Sequence, residues 1–172
     1  MINKKHECRK VDLNFFNTAK YRIVSEEYLP CSSESLFRCF EDADAWTEWV
    51  NVINKVEWTS PKPFKVGTTR TVQMPGGMIA YEEFIAWDEP SHIAFRFNQF
   101  NRRFIKAFAE DYKVTDLGNN RCHLVWTVAI EQSGIASFFA PLTRSVVAWQ
   151  LQGILKELRR YMENEGRRFS AS

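Results

Sequence analysis

The C-terminal third of the chain carries the feature that most limits its fold, a long segment with apolar residues at helical spacing. Apolar side chains recur every three or four residues from Leu142 to Met162, and Pro141 stands where the first turn of a helix accepts proline. The apolar positions are Leu142, Val146, Val147, Leu151, Ile154, Leu155, Leu158 and Met162. The pattern predicts an amphipathic helix of about 25 residues, roughly 37 Å long, that ends before Gly166.

The middle of the chain has the alternation of β-strands, with apolar side chains at every second position. Turn sequences separate the segments: Pro75-Gly76-Gly77, Asp88-Glu89-Pro90 and Leu117-Gly118-Asn119-Asn120. We predict strands at about 21–28, 56–59, 68–74, 78–88, 93–97, 104–115 and 122–130. Apolar side chains occupy every second position of the fifth strand up to Phe97, but Phe100 breaks this alternation. The break predicts a bulge or the end of the strand near Asn98. Short turns make such strands antiparallel neighbours with one apolar face.

Two short helices are predicted between the first strand and the others. Ser32 is a candidate N-cap for a first helix with apolar residues at Leu36, Cys39, Phe40 and Ala43. Trp46 and Trp49 share a face of a second helix near 45–50. The order of elements predicts an α+β fold, in which a curled antiparallel sheet of about seven strands wraps around the long helix. Because a curled sheet and a straight rod do not fill the same volume, we expect a gap between them.

Length and charge limit the classes of function. A chain of 172 residues is long enough for one domain with its own core, and we place that domain at 21–169. Residues 1–20 are predicted to be an N-terminal extension, either disordered or laid across the domain surface. A net charge of +2 does not favour nucleic-acid binding, and no run of 18 apolar residues predicts a membrane span. The N-terminus lacks the apolar core of an export signal, so we expect a cytoplasmic protein.

The sequence contains no motif for a metal or nucleotide cofactor, and we expect neither. The histidines His6, His92 and His123 have no partner at zinc-ligand spacing, and there is no glycine-rich phosphate loop. The four cysteines, Cys8, Cys31, Cys39 and Cys122, form no CxxC pair, so we expect them to stay reduced. Aromatic residues make up 15 % of the chain, which favours a thick core or the wall of an apolar pocket.

Several local motifs, in this order, resemble the START-like (SRPBCC) superfamily, which includes polyketide cyclase/dehydrase and Bet v 1-like proteins with the helix-grip fold. The motifs are Pro30-Cys31-Ser32-Ser33-Glu34-Ser35-Leu36-Phe37, Asp44-Ala45-Trp46-Thr47-Glu48-Trp49, Val66-Gly67-Thr68-Thr69-Arg70, Trp87-Asp88-Glu89-Pro90 and Cys122-His123-Leu124-Val125-Trp126. Cys122 stands where the family tends to have threonine. The resemblance covers about residues 21–165. It implies a hydrophobic cavity between the sheet and the long helix, but no catalytic residue, because the superfamily shares no catalytic motif.

Three functions remain open. The first is binding of a small hydrophobic ligand, such as a lipid or polyketide, as a carrier or sensor. The second is a polyketide cyclase- or dehydratase-like enzyme that uses an acid/base residue in the cavity, and the third is a protein-interaction module. In each case we expect a monomer or weak homodimer. The predicted ligand-binding residues are Tyr81, Phe95, Phe97, Phe108, Tyr112, Trp126, Val147, Leu151 and Leu155.

The alternation of inward and outward side chains along two strands gives three candidates for an acid/base residue. If Phe108 faces inward, the alternation of its strand turns Lys106 and Glu110 inward as well. If Tyr81 faces inward, so does Glu83, although the adjacent Phe84 points to the opposite parity. An ionisable group in an apolar cavity acquires a shifted pKa and can act as a general acid or base. The alternative is that these charges lie at strand ends or beyond a bulge, in water.

Overall fold

The structure, a computed structural model, describes residues 4–169 except for the side chains of 135–143. These described residues form eight strands and four α-helices. The strands are β1 (His6–Glu7), β2 (Tyr21–Leu29), β3 (Lys55–Trp58), β4 (Thr69–Met74), β5 (Met78–Asp88), β6 (His92–Phe100), β7 (Ile105–Gly118) and β8 (Arg121–Gln132). The helices are α1 (Phe15–Thr18), α2 (Ser33–Glu41), α3 (Ala43–Trp49) and α4 (Ile135–Glu165).

The strands form one antiparallel sheet that curls around α4. Its order is β2-β8-β7-β6-β5-β4-β3, so the first long strand pairs with the last. Helix α4 packs along β2, and α2 and α3 follow β2 as two short helices. The predicted α+β helix-grip fold is confirmed. The predicted irregularity in β6 is also present: Tyr81 pairs with Gln99 and Glu82 with Phe97, which leaves Asn98 as an extra residue.

Local sequence explains where the short helices begin and where β7 turns into β8. The Ser32 hydroxyl accepts a hydrogen bond from the Ser35 N–H and caps α2, and an Asp42 oxygen accepts one from the Asp44 N–H at the start of α3. In the β7–β8 turn, the adjacent residues Asn119 and Asn120 have φ angles of 52° and 54°. Asparagine tolerates this left-handed conformation, which a tight hairpin turn requires.

Helix α4 begins earlier than the sequence predicts. It starts at Ile135 and has 31 residues, so Pro141 lies inside it and not at its first turn. The residue that marks the start is Gly134, whose φ of 62° breaks the extended path of β8 before the helix. Its end at Glu165 is as predicted. Leu142, the first residue of the predicted apolar stripe, lies outside the described side chains.

Residues 11–19 lie across the outer face of the sheet. That face carries five buried alanines, Ala86, Ala94, Ala107, Ala109 and Ala129. Their small side chains leave a shallow surface, on which Val11, Phe15 and Phe16 pack and become buried. This second apolar cluster is separate from the main core on the concave face. The domain boundary at residue 21 stays a prediction, because packing alone does not measure independent folding.

The N-terminal segment also completes the sheet. Strands β6 and β7 pair from His92 to Arg96, and beyond that point β1 takes the place beside β6, with His6 opposite Phe100. The Cys8 N–H then donates to the Asn98 carbonyl on β6 at 2.9 Å, and the Arg9 N–H donates to the Lys106 carbonyl on β7 at 2.6 Å. Residues 6–9 therefore fill the gap between two diverging strands.

Replacing Phe15 with alanine tests whether the N-terminal segment contributes to stability. Phe15 is 6 % exposed, so Phe15→Ala is expected to lower the free energy of unfolding by about 3 kcal/mol. The control is Leu13→Ala in the same segment, where the side chain is 43 % exposed and the expected change is below about 0.5 kcal/mol. Urea unfolding of the three proteins measures the difference. Equal stability of both variants would show that the outer cluster does not hold the segment in place.

Candidate functional site

A cavity of about 510 Å³ separates α4 from the concave face of the sheet. On the helix side it is lined by Val147, Leu151 and Ile154. Most of the remaining lining is aromatic or aliphatic and comes from β4 to β8. Val52 and Phe104 also line the cavity and are 48 % and 41 % exposed, so they lie at its mouth. The volume lies in the range that holds small organic molecules.

Seven of the nine residues predicted to bind ligand line this cavity: Phe95, Phe97, Phe108, Tyr112, Trp126, Val147 and Leu151. Tyr81 and Leu155 do not. Tyr81 lies on the outer face, with the Lys5 ammonium 3.9 Å from its ring centre. Leu155 is on the inner side of α4 but is fully buried in the core beside the cavity, because neighbouring apolar side chains cover it.

A bulge in β5 explains why the alternation of its side chains did not decide which of them face inward. Phe84 pairs with Phe95 and Ala86 with Ala94, so Ile85 is an extra residue that reverses the alternation. Phe84 faces the core, whereas Glu83 faces outward, so the parity indicated by Phe84 is the correct one and Glu83 is not in the cavity. The Glu83 carboxylate accepts hydrogen bonds from Arg96 and Asn98. Partial burial raises the pKa of Glu83, but these two partners outweigh it and leave the pKa below its usual range.

A second bulge separates the other two acid/base candidates. Ile105 pairs with Gln132 and Ala107 with Glu131, so Lys106 is the extra residue in β7. Lys106 is exposed on the outer face, which corresponds to the alternative of a charge beyond a bulge, in water, and not to an acid/base residue in the cavity. After the bulge the alternation is regular, so Phe108, Glu110 and Tyr112 face the cavity. Of the three candidates, only Glu110 is in the cavity.

A buried ion pair that the sequence patterns did not predict lies in the wall of the cavity. Arg70 on β4 and Glu82 on β5 are directly opposite each other, and Arg70 Nε donates to Glu82 Oε2 at 2.6 Å. Both side chains line the cavity and are at most 4 % exposed. Alternation along β4 was the available indication, because Arg70 shares a face with the buried Val72. A charged residue at a core-facing position is rare unless it is paired.

Aromatic rings surround the guanidinium of Arg70. Its Cζ atom lies 4.2 Å from the ring centre of Trp46 and 4.6 Å from that of Phe95, and Trp58 and Phe84 lie slightly farther away. Such cation–π contacts partly replace the hydration that the buried cation has lost. The guanidinium keeps its charge. Burial raises the pKa of Glu82, and the adjacent Arg70 cation opposes this rise.

Glu110 is the group in the cavity whose protonation changes near neutral pH. Burial raises its pKa from 4.5 to about 7, and the charge of Glu82 adds to the rise. The Tyr112 hydroxyl and the Trp126 Nε1–H both donate a hydrogen bond to Glu110 Oε2. These two bonds and the positive charge of Arg70 lower the pKa of Glu110 and so oppose the rise. The cluster therefore combines a fixed cation, a paired carboxyl and a carboxyl that can hold or release a proton.

Comparison with known proteins identifies the family. The model of the family described as "Polyketide cyclase / dehydrase and lipid transport" matches residues 21–163. The chain belongs to this family, and the START-like resemblance of its motifs is confirmed. An uncharacterized protein of Mycobacterium tuberculosis, Rv2574, is 41 % identical over 158 residues, which cover 92 % of this chain and 94 % of that protein.

Solved structures show the same fold at low sequence identity. A START superfamily protein from Mycobacterium smegmatis has a TM-score of 0.68 and 14 % identity, over 83 % of this chain and 97 % of that one. A conserved protein from Geobacillus kaustophilus has a TM-score of 0.68 and 12 % identity, over 84 % and 96 % of the two chains. At these identities the likeness establishes the architecture and not the ligand.

Two further observations concern only the described residues. No helix among them is both long and apolar enough to cross a membrane. Nor does the described part of the chain bring together three His, Cys, Asp or Glu side chains that could hold a metal ion.

The Arg70–Glu82 pair predicts strongly non-additive effects of substitution. Arg70→Met or Glu82→Leu alone leaves a buried charged group without its partner, and each is expected to lower the free energy of unfolding by about 3–5 kcal/mol. The double variant Arg70→Met/Glu82→Leu removes both charges and is expected to recover most of that loss. Urea unfolding of the parent protein, the two single variants and the double variant near neutral pH gives the four free energies of this double-mutant cycle. Additive losses would show that the two groups do not depend on each other.

The raised pKa of Glu110 predicts a pH dependence of stability. Between its ordinary value of 4.5 and about 7, the unfolded chain releases this proton and the folded protein keeps it. The contribution of Glu110 to the free energy of unfolding therefore falls as the pH rises through this window. The loss amounts to at most about 3 kcal/mol and is complete above about pH 7.

Glu110→Gln is the matched variant, because the amide oxygen can still accept from Tyr112 and Trp126 but the group does not titrate. Urea unfolding at about pH 5 and about pH 8 is expected to show a larger decrease in stability for the parent protein than for Glu110→Gln. Parallel pH profiles would mean that Glu110 titrates at its ordinary pKa.

Proposed function

We propose that this protein binds a small hydrophobic molecule in the cavity between α4 and the sheet, as a carrier or sensor. The observation that supports this is the cavity itself, about 510 Å³ in volume, with mainly apolar lining and exposed apolar residues at its mouth. A cavity lined in this way favours apolar ligands, because water inside it has few hydrogen-bond partners. The proposed contacts are the seven predicted residues that line it, with Trp46 and Ile154 in addition.

The size of the cavity is sufficient for useful affinity. Each methylene group transferred from water into apolar surroundings contributes about 0.8 kcal/mol. A ligand with about fifteen such groups gains roughly 12 kcal/mol, from which the loss of translational and rotational freedom subtracts several kcal/mol. The remainder is consistent with a dissociation constant in the micromolar range. The proposal takes the protein as a cytoplasmic monomer or weak homodimer that binds no nucleic acid.

One observation favours the enzyme as a second candidate. Glu110 lines the cavity with a pKa of about 7, and the Tyr112 hydroxyl contacts its carboxyl group. A general acid or base works best when its pKa lies near the operating pH, as in cyclisation or dehydration of a bound polyketide. Incubation with a polyketide mimic separates the two functions. A carrier leaves the mimic unchanged, whereas an enzyme converts it, and the Glu110→Gln variant of the enzyme does not. The interaction-module alternative depended on a filled cavity together with an exposed apolar patch, and the open cavity does not meet the first condition.

Two neighbouring valines in α4 provide a matched test of the ligand site. Val147 lines the cavity, whereas the adjacent Val146 is 57 % exposed and does not line it. Val147→Trp is expected to fill part of the cavity and to reduce binding of an alkylnaphthalene probe by at least about tenfold. Val146→Trp makes the same substitution outside the cavity and is expected to leave binding unchanged.

The measurement is native mass spectrometry of each protein, first as purified and then after addition of the probe. The parent protein is expected to carry a stoichiometric apolar compound or to take up one probe molecule. Circular dichroism of both variants confirms that they are folded. A parent protein that carries no compound and takes up no probe would contradict the proposal, as would equal probe binding by the two variants.

A further inference from the structure

A gap between two strands of the sheet lies directly behind the cavity. Strands β6 and β7 pair as far as Arg96, and just beyond it the rings of Phe97 and Phe108 stack with their centres 4.2 Å apart. The strands then diverge, and Phe100 on β6 and Ile105 on β7 flank the gap between them. These four apolar residues all line the cavity. An opening at this point would therefore lead straight to the ligand site.

Residues 6–9 close this gap with a single inward side chain. They are bonded to β6 on one side and to β7 on the other. Of residues 4–10, Cys8 is the one that is buried, and it belongs to the main core on the concave face. Its neighbours Glu7 and Arg9 are exposed on the outside. The side chain of Cys8 therefore fills the gap from behind the residues that line the cavity.

A groove on the outer face reaches the other side of this closure. His6 and Arg9 from the N-terminal segment line the groove, together with Ile105 and Lys106 from β7. Ile105 also lines the cavity, so it belongs to both spaces. One side chain of β7 and the N-terminal segment therefore separate the outer groove from the ligand site.

The contacts that hold residues 4–9 are weaker than those that hold the next part of the chain. Apart from the backbone hydrogen bonds, they are surface contacts: Arg9 with Glu131, Glu7 with Gln99, and Lys5 with the ring of Tyr81. Exposed pairs of this kind contribute little to stability, because water and salt screen them. Val11, Phe15 and Phe16, in contrast, are buried in the outer apolar cluster. Residues 4–9 can therefore detach locally while this anchor stays in place.

We propose that residues 4–9 form a gate in the cavity wall, which opens by local detachment and lets an apolar ligand pass between β6 and β7. The inference rests on the proposed function, because it requires that a ligand enters and leaves the cavity. The gate is an entrance on the outer face of the sheet, in addition to the mouth near Val52. None of residues 4–9 lines the cavity, so the gate controls the rates of ligand entry and release and has little effect on affinity.

The thiol of Cys8 measures the opening without any ligand. Burial raises the pKa of Cys8 to about 11, with a smaller contribution from the charge of Glu7, so the thiol is unreactive while the gate is closed. The native protein is treated with iodoacetamide at about pH 8, where an exposed thiol reacts, and peptide mass spectrometry assigns the alkylated cysteines. Each rate is divided by the rate for the same cysteine in the urea-unfolded protein.

Cys39 is the internal control for this measurement. It is fully buried in α2, so its exposure requires opening of the main core. Cys8 is expected to react at least about tenfold faster than Cys39 after this normalisation, because only residues 4–9 have to detach. Equal rates for the two cysteines would overturn the gate, since the segment would then open only together with the core.

A reversible disulfide tests whether ligand uses this opening. Glu7 and Gln99 are opposite each other in the antiparallel pair of β1 and β6, so Glu7→Cys/Gln99→Cys places two thiols at a spacing that a disulfide spans. Oxidised glutathione forms the bond and is itself reduced, and peptide mass spectrometry confirms that the bond joins these two positions. The reduced form of the same variant is the matched control.

Stopped-flow fluorescence then measures release of the alkylnaphthalene probe from both forms. The oxidised form is expected to release the probe at least about tenfold more slowly than the reduced form, with dissociation constants that agree within about threefold. The reduced form is expected to release it at the rate of the parent protein.

The outcomes distinguish this inference from the proposed function. Equal release rates from the oxidised and reduced forms overturn the gate and leave ligand binding intact, because the probe then exchanges through the mouth. A probe that binds neither form nor the parent protein overturns both proposals.

Discussion

The mismatch in shape between a straight helix and a curled sheet is the constraint on which the other features of this protein depend. Helix α4 is a straight element of 31 residues and the sheet is curled, so the apolar stripe of the helix does not meet the sheet at every point. Toward the end of the helix, Leu155, Leu158 and Met162 are buried against the core. Around Val147, Leu151 and Ile154 the two surfaces separate, and side chains of similar type line open space. Core and cavity are therefore two parts of one interface, and they differ in the distance between helix and sheet.

The polar groups of the cavity are arranged according to the same geometry. Arg70, Glu82 and Glu110 lie on three different strands, yet they meet because each occupies an inward position of the curved sheet. Aromatic rings enclose the ion pair, which limits its contact with water and strengthens each electrostatic interaction. A curved sheet can in this way bring distant parts of the sequence together in the wall of a narrow space. The helix lines the same space with Val147, Leu151 and Ile154 and with one amide side chain, Gln150.

The sequence predicted the architecture well because the architecture depends on periodicity. The strand alternation, the two capped helices and the long C-terminal stripe each follow from local patterns, and together they define the helix-grip fold. The orientation of single side chains was less predictable. A single extra residue reverses the alternation of a strand, and the bulges at Ile85 and Lys106 do so at the points where the acid/base candidates were assigned. For this reason the alternation could not decide between the inward and outward positions of Lys106 and Glu83, and Arg70 was missed because no inward and outward positions were assigned along β4.

The position of the N-terminal segment has a consequence for the order in which the protein can form. Glu7 contacts Gln99 across 92 residues of chain, and β2 pairs with β8, which is the last strand to be made. During synthesis residues 6–9 therefore have no partners until β6 and β7 have also been made. Contacts between such distant parts of a chain are slow to form, because a large loop must close before any of them is gained. The gap between the two diverging strands stays open until then, so the sheet is completed late by a segment that was made before either of those strands.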